Sequence, residues 1–277
     1  EIIVMDNNMR YRRFTSSKIG ALQTVGVRDM TEDEISAHRV NNPKSKKKTI
    51  VDGFGISALE YIREKGMERR LGRCLDAENS ARPLQWGKCV EGVAFEQLGT
   101  QYEIISEKTI VHPLYDFWSG SPDLIKHDNP RVVCDIKCPS TLKSFCTFVD
   151  SYLDGGIGAV RNAHKDGETY YWQLVSNAIL TGCNKAELIV YMPYKSELHK
   201  IKDEATSWGY QWISFASDVE LPYLIDGGVY KNINVLPFDI PQDDIDLLIA
   251  NVVKADSMLA PLKLTIHDHN VTVHDSI

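Results

Sequence analysis

Residues 120–139 read GSPDLIKHDNPRVVCDIKCP: a proline turn with Asp123, a further turn, then a strand carrying Asp135, Ile136 and Lys137. Side chains alternate along a strand, so Asp135 and Lys137 share one face while Ile136 takes the other, where apolar packing wants it. Two acids and one lysine then converge. Paired carboxylates make a hard-oxygen site suited to Mg²⁺ or Mn²⁺, which keep several waters and share phosphate oxygens with a substrate. A lysine beside them can orient an attacking water or help neutralise the pentavalent transition state at a phosphodiester. The trio therefore reads as a nuclease site. Spacing alone also fits a surface hairpin, with Asp123 in its turn and Asp135 and Lys137 as a solvated strand pair.

The composition around this stretch, 43% hydrophobic and 25% charged over 277 residues, is that of an ordinary soluble globular protein. No apolar run reaches the roughly 20 residues that span a bilayer, and no signal-peptide pattern is found, so a cytoplasmic location is expected. The cysteines at 74, 89, 134, 138, 146 and 183 include no C-x-x-C pair, which favours reduced thiols over a zinc ribbon or a disulfide framework. A net charge of −7 is unusual for a nucleic-acid enzyme, but its distribution is uneven. Residues 1–100 hold 17 Lys and Arg against 14 Asp and Glu, whereas residues 101–277 hold 14 against 24. The N-terminal part is thus the better phosphate-facing candidate. Bound cations would offset acid clustered at a metal site.

Along the chain, Arg10, Arg12 and Arg13 run into FTSSKIG. Thr15, Ser16 or Ser17 can cap a short helix through about Gln23, whose free amides and nearby arginines would make a phosphate pocket. A solvated basic arm is the simpler alternative. Thr31-Glu32-Asp33-Glu34 is a capping signal that opens a helix toward Arg39. Lys44 and Lys46–Lys48 form a basic loop that can touch DNA backbone without reading sequence. Helical periodicity covers Ser57 to about Arg70, and again PLQWGKCVEGVAFEQLG from Pro83, with Trp86, Val90, Ala94 and Leu98 as one stripe. Glu91 lies off that stripe, where a lone glutamate is usually just solvated. A strand pair's worth of residues follows, Tyr102–Ile105 and Lys108–His112.

Beyond Pro139, Gly155-Gly156 and Gly158 suggest a mobile linker. A helix from about Thr169 to Leu180 places Gln173 and Asn177 on one face and closes at Gly182. Lys185–Met192 reads as a buried strand, Gln211–Phe215 as another, and the residues after Pro241 as a helix with acids in its first turn. Leu262–Ile277 alternates enough for a strand; His267, His269 and His274 there fit a polar face or a tail better than a metal site.

Four blocks in order carry a resemblance: the Arg-rich start with FTSSKIGAL, PLQWGKCVE, GSPD followed by DIKCP, and YYWQL followed by a strand ending in YMP. The sequence resembles the lambda-type phage exonucleases, the YqaJ-like viral recombinase branch of the PD-(D/E)XK nuclease superfamily, over roughly Arg10 to Pro193. The resemblance raises the nuclease reading above the surface hairpin. It implies an α/β fold with a restriction-endonuclease-like core, a central mixed β-sheet flanked by helices. Residues 1–277 would form a single nuclease domain: an N-terminal arm and helices (1–80), a catalytic core (81–216) and C-terminal elements (217–277).

By the same resemblance, Asp123, Asp135 and the Ile136 carbonyl are central metal ligands, and Glu91 is an outlying acid that helps hold a second ion, often through water. Two Mg²⁺ ions are implied, with Mn²⁺ able to substitute. Lys137 would position the attacking water, and Gln173 would stand near the active site and its nucleophile. Many relatives have glutamate where this chain has Asp135, a side chain one methylene shorter. Arg10, Arg12, Arg13 and Ser17 are candidates for the DNA 5′-phosphate, Arg10 aligning best. The implied activity is 5′→3′ degradation of one strand of linear double-stranded DNA, leaving a 3′ overhang for recombination through a single-strand annealing protein. A homo-trimeric ring acting in a phage-infected or bacterial cytoplasm is the implied assembly. A related endonuclease or repair nuclease remains an alternative, although iron–sulfur relatives use cysteines after the core and the last one here is Cys183. A catalytically inactive DNA-binding scaffold is the alternative from another class.

Overall fold

The structure is a computed structural model that describes residue 10 and residues 12–75 and 81–259. The 262–277 tail, with its three histidines, lies outside the described residues.

In chain order the elements are β1 (Phe14–Thr15), a 3-10 helix (Ser16–Gln23), β2 (Val25–Asp29), α1 (Glu32–Asn41), β3 (Thr49–Phe54), α2 (Ile56–Leu71) and α3 (Arg82–Glu96). Then come β4 (Tyr102–Ile104), β5 (Ile110–Val111), β6 (Trp118–Gly120), β7 (Leu124–Lys126), β8 (Val132–Lys137), α4 (Leu142–Ala163) and α5 (Gly167–Thr181). The chain continues through β9 (Lys185–Tyr191), α6 (Leu198–Ser207), α7 (Gln211–Ser214), β10 (Ile233–Asp239) and α8 (Gln242–Ser257).

The central sheet has the order β10-β9-β8-β7-β4 and is mixed: β8 and β9 run parallel, and the other neighbours antiparallel. A parallel pair needs a crossover, which α4 and α5 supply. Residues 132–136 of β8 and 186–191 of β9 are buried throughout, as strands covered on both faces must be. One face packs Val133, Leu188 and Val190 with Phe148, Leu174, Val175 and Leu248 of α4, α5 and α8. The other packs Cys134, Ile136, Ile189 and Tyr191 with Trp86, Val90 and Ile201 of α3 and α6. This is the mixed sheet flanked by helices that the sequence implied.

A smaller sheet, β1-β6-β5, brings the N-terminal arm alongside the start of the 120–139 stretch, with Phe14 opposite Trp118. Gly120 is required there. A Cβ on it would stand 2.1 Å from Ser16 Oγ and 2.6 Å from Asn177 Oδ1.

Several expectations change in three dimensions. Residues 211–215 are helical rather than a strand: Ile213 alone is fully buried, and Ile213 N–H and Phe215 N–H bond back to the carbonyls of Tyr210 and Gln211. An apolar run that short carries no period to decide between the two. The glycines expected to be a mobile linker lie inside α4, capped by Thr141 and anchored by Phe145, Phe148 and Val149. They kink it, and Gly156 takes φ 63°, ψ −158°, a conformation open to glycine alone. The two strand-like runs after α3 do not pair; they join different sheets. No side chain caps the 3-10 helix, because Ser16 Oγ bonds Ser176 Oγ at 2.8 Å and Thr15 Oγ1 meets the Tyr61 hydroxyl. The Thr31–Glu34 capping box forms as read.

Candidate active site

The β7–β8 hairpin sits inside the central sheet, which removes the surface-hairpin account. Asp135 has 0% exposure. Its Oδ1 accepts from Gln173 Nε2 at 3.0 Å, and its Oδ2 pairs with the Lys137 ammonium. The period-two reading therefore holds: Asp135 and Lys137 meet on the α5 face, and Ile136 is buried against α3. Asp123 is fixed from the same strand, its Oδ2 accepting from Ile136 N–H at 2.7 Å. A hydrogen bond from Trp86 Nε1 to the Pro139 carbonyl, at 3.1 Å, ties α3 to the end of β8. Glu91 thereby borders the same cavity, about 370 Å³, with Lys137, Ile136, Cys138, Lys88 and Tyr170.

Electrostatics show why this cluster is unusual. Burial, then the neighbouring Asp135 and Glu91 carboxylates, push the Asp123 carboxyl well above its ordinary range. Burial also raises Glu91, against the pull of Lys137 and with help from Asp135. Burial by itself would lower Lys137, but Asp135 and Asp123 hold its ammonium protonated beyond the usual lysine range. Three acids thus face one lysine. Among the described residues no three His, Cys, Asp or Glu side chains enclose a cation by themselves. The available donors are two aspartates plus backbone and water oxygens, with Glu91 beside them. Such a set fits a hard divalent cation that keeps part of its water shell, and the unbalanced negative charge is what such an ion would offset.

The arginines separate. Arg10 donates to Ser121 Oγ at 3.0 Å, within the SPD turn that carries Asp123, and Thr109 Oγ1 lies 3.2 Å from the same oxygen. Arg12 turns away to Asp116 at 3.6 Å, lining a cavity of about 390 Å³ with Arg69 and Asp256, which pair with each other. Arg13 is 3% exposed and donates through Nε to the Asp116 carbonyl. Ser17 is exposed and opens onto a different surface with Lys18 and Glu64. Asn177, one turn beyond Gln173, is buried beside Gly120 and not in the cluster.

Two residues that sequence reasoning passed over line the cavity. Tyr170 places its ring 4.8 Å from Lys137 Nζ, and Lys88 stands at the rim. Each lies three positions before a residue already singled out, Gln173 and Glu91, which is the helical spacing that shares a face.

No family model matches the chain, and no curated protein does. Among solved structures, an alkaline exonuclease from Laribacter hongkongensis (LHK-Exo) superposes with a TM-score of 0.52 at 15% identity, over 91% of this chain and 89% of that one. The two chains share a fold. LHK-Exo in complex with dAMP gives 0.51 at 16% identity, with the same coverage. A phage-related exonuclease from Haemophilus somnus 129PT is similar at 0.49 and 14% identity, over 89% of this chain and 93% of that one. At such identity the architecture is what is held in common, and the chemistry is read from this chain's own residues.

Proposed function

We propose that the protein is a metal-dependent deoxyribonuclease that hydrolyses one strand of linear double-stranded DNA from its 5′ end and leaves a 3′ overhang. The observation that carries this reading is the meeting of buried Asp135 with part-buried Asp123, Glu91 and Lys137, with Gln173 on Asp135, in a fold shared with an alkaline exonuclease. Asp123, Asp135, the Ile136 carbonyl and Glu91 would hold two Mg²⁺ ions, or Mn²⁺ in their place. Bound there, the cations supply Lewis-acid polarisation of the scissile phosphate.

The chain's own groups do the rest. Lys137, held protonated, orients the attacking water and offsets charge that grows on the phosphoryl oxygens. Gln173 fixes the Asp135 carboxylate from α5, and the Ile136 amide fixes Asp123, so both acids are placed before substrate arrives. Arg10 is the arginine best set for a terminal 5′-phosphate, since its guanidinium reaches the turn carrying Asp123.

We read residues 1–277 as one nuclease domain acting in the cytoplasm. Among the described residues no helix is long and apolar enough to cross a membrane. A trimeric ring and delivery of the overhang to a single-strand annealing protein are supported by the family resemblance.

The test is a linear duplex with one 5′-phosphorylated and one 5′-hydroxyl end, incubated with Mg²⁺ beside a closed circle and a Lys137→Ala control. Shortening of the phosphorylated strand from its 5′ end, with circle and control intact, is the expected result. A cut circle would replace the end-dependent reading with an endonuclease. No cleavage in Mg²⁺ or Mn²⁺ would leave a DNA-binding scaffold.

A further inference from the structure

From the cavity rim, the surface continues onto a ledge of aromatic rings where α6 meets α7. Trp208 closes α6 with 54% of its surface exposed. It stacks on Tyr210, with ring centroids 6.3 Å apart and planes 10° from parallel. Trp212, in α7, donates its indole N–H to Gln85 of α3. Two cations of α3 lie over these rings: Lys88 Nζ is 5.5 Å from the Trp208 centroid and the Arg82 guanidinium 5.3 Å from that of Trp212. Among the described residues neither cation forms an ion pair with a carboxylate. Lys88 also lines the cavity shared by Glu91 and Lys137. The ledge therefore begins where the candidate chemistry ends.

Packing accounts for only part of this arrangement. Tyr210 and Trp212 are partly buried against the α3–α6 layer, but Trp208 is not among the residues packed there. A solvent-facing indole flanked by cations that form no ion pair among the described residues is poor design for a monomer surface and good design for unpaired nucleotides. Every base offers a π-face that stacks on an indole whatever its identity, and every phosphate needs a cation. Paired duplex offers no free base faces.

We propose that Trp208, with Lys88 and Arg82, binds an unpaired DNA strand next to the cleavage site by stacking its bases and pairing its phosphates. The proposal rests on the nuclease reading for why such a strand is present, and not for the stacking itself.

The experiment measures anisotropy of a fluorescently labelled single-stranded oligothymidylate, with a chelator present so that binding is read without cleavage. Native protein is compared with Trp208→Ala, Trp208→Phe and Lys88→Gln, with a blunt duplex as the second probe. Trp208→Ala is expected to weaken single-strand binding about tenfold, and Trp208→Phe to recover most of it. Duplex binding should change far less. Lys88→Gln should lower the salt slope of single-strand binding by about 0.7. Unchanged affinity in Trp208→Ala, with no quenching of native tryptophan emission by the oligonucleotide, overturns the proposal. Cleavage assays on the same preparations separate the two readings. Native cleavage with unaltered Trp208→Ala binding removes the ledge alone; weakened binding in a native protein that never cleaves keeps the ledge and removes the nuclease.

Discussion

Strands β8 and β9 carry two buried carboxylate–lysine groups on opposite faces, and the groups handle charge differently. On the α3 face Glu187 accepts from Lys126 Nζ at 2.7 Å, the Tyr102 hydroxyl at 2.8 Å and the Cys134 thiol at 3.6 Å. A second acid, Asp128, meets Lys126 at 3.1 Å but is half exposed. Donors there match the buried acid. On the α5 face one lysine and one glutamine serve Asp135, while Asp123 and, from α3 across the end of β8, Glu91 draw on that same lysine and are raised by burial and by neighbouring carboxylates. Each group centres on a buried acid, Glu187 or Asp135, and each contains a lysine. A surplus of carboxylate over donors, rather than burial, separates the candidate site from a structural pair.

That distinction is broken most directly by substitution on each face. Asp123→Asn keeps an acceptor for the Ile136 amide but removes charge. It should slow DNA cleavage about a thousandfold, roughly 4 kcal/mol of barrier, in single-turnover assays. The same variant should unfold at higher urea without metal, because repulsion among the acids is relieved. Glu187→Gln should do the reverse: it leaves Lys126 without its buried partner and costs about 2–4 kcal/mol of stability in urea titrations, with the cleavage rate near that of the native protein. A Glu187 variant that lost activity and kept stability would invert the comparison.

The arginines extend the same logic at smaller scale. Arg12 already has an acid, whereas Arg10 is directed at the turn that carries Asp123. Arg10→Ala should cost about tenfold in the preference for a 5′-phosphorylated over a 5′-hydroxyl end, and Arg12→Ala much less, in competition digests.

The smallest effect is a pH slope. Asp123 and Glu91 have carboxyls raised above their unfolded values, so the native state binds more protons than the unfolded chain does. Stability of the metal-free protein is then greatest at acid pH and is lost as pH rises through the raised native values. Urea midpoints should decline as pH rises above the ordinary carboxylate range in the native protein and in Glu187→Gln, and the decline should flatten in Asp123→Asn. Added Mg²⁺ should recover more stability at the alkaline end than at the acid end.

Much of this was legible in the chain. Strand alternation put Asp135 beside Lys137, the Thr31 capping box opened α1, and the stripe from Trp86 to Ala94 oriented α3 so that Glu91 lay off the packed face. What escaped was nonlocal or short. The pairing of Phe14 with Trp118 leaves no mark in either segment, and β10 and the antiparallel β2–β3 pair escape because their pairing is tertiary. Residues 211–215 were too few to show a period. The glycines of α4 outweighed its apolar spacing, and only the fold showed a kinked helix.

By itself, the sequence determined which chemistry is on offer: two aspartates, a lysine at the right parity, a glutamate and a glutamine on helices, in an order that matches a nuclease pattern. Tertiary structure decided what that chemistry becomes. Closing α3 and α5 over the end of β8 removes water from the acids, and only then does mutual repulsion push Asp123 upward. The β1–β6 pairing decided which arginine faces the turn, and the meeting of α3 with α6 and α7 built the aromatic ledge. Side-chain type and period are local properties of a chain, whereas desolvation and charge balance depend on every element that covers a site.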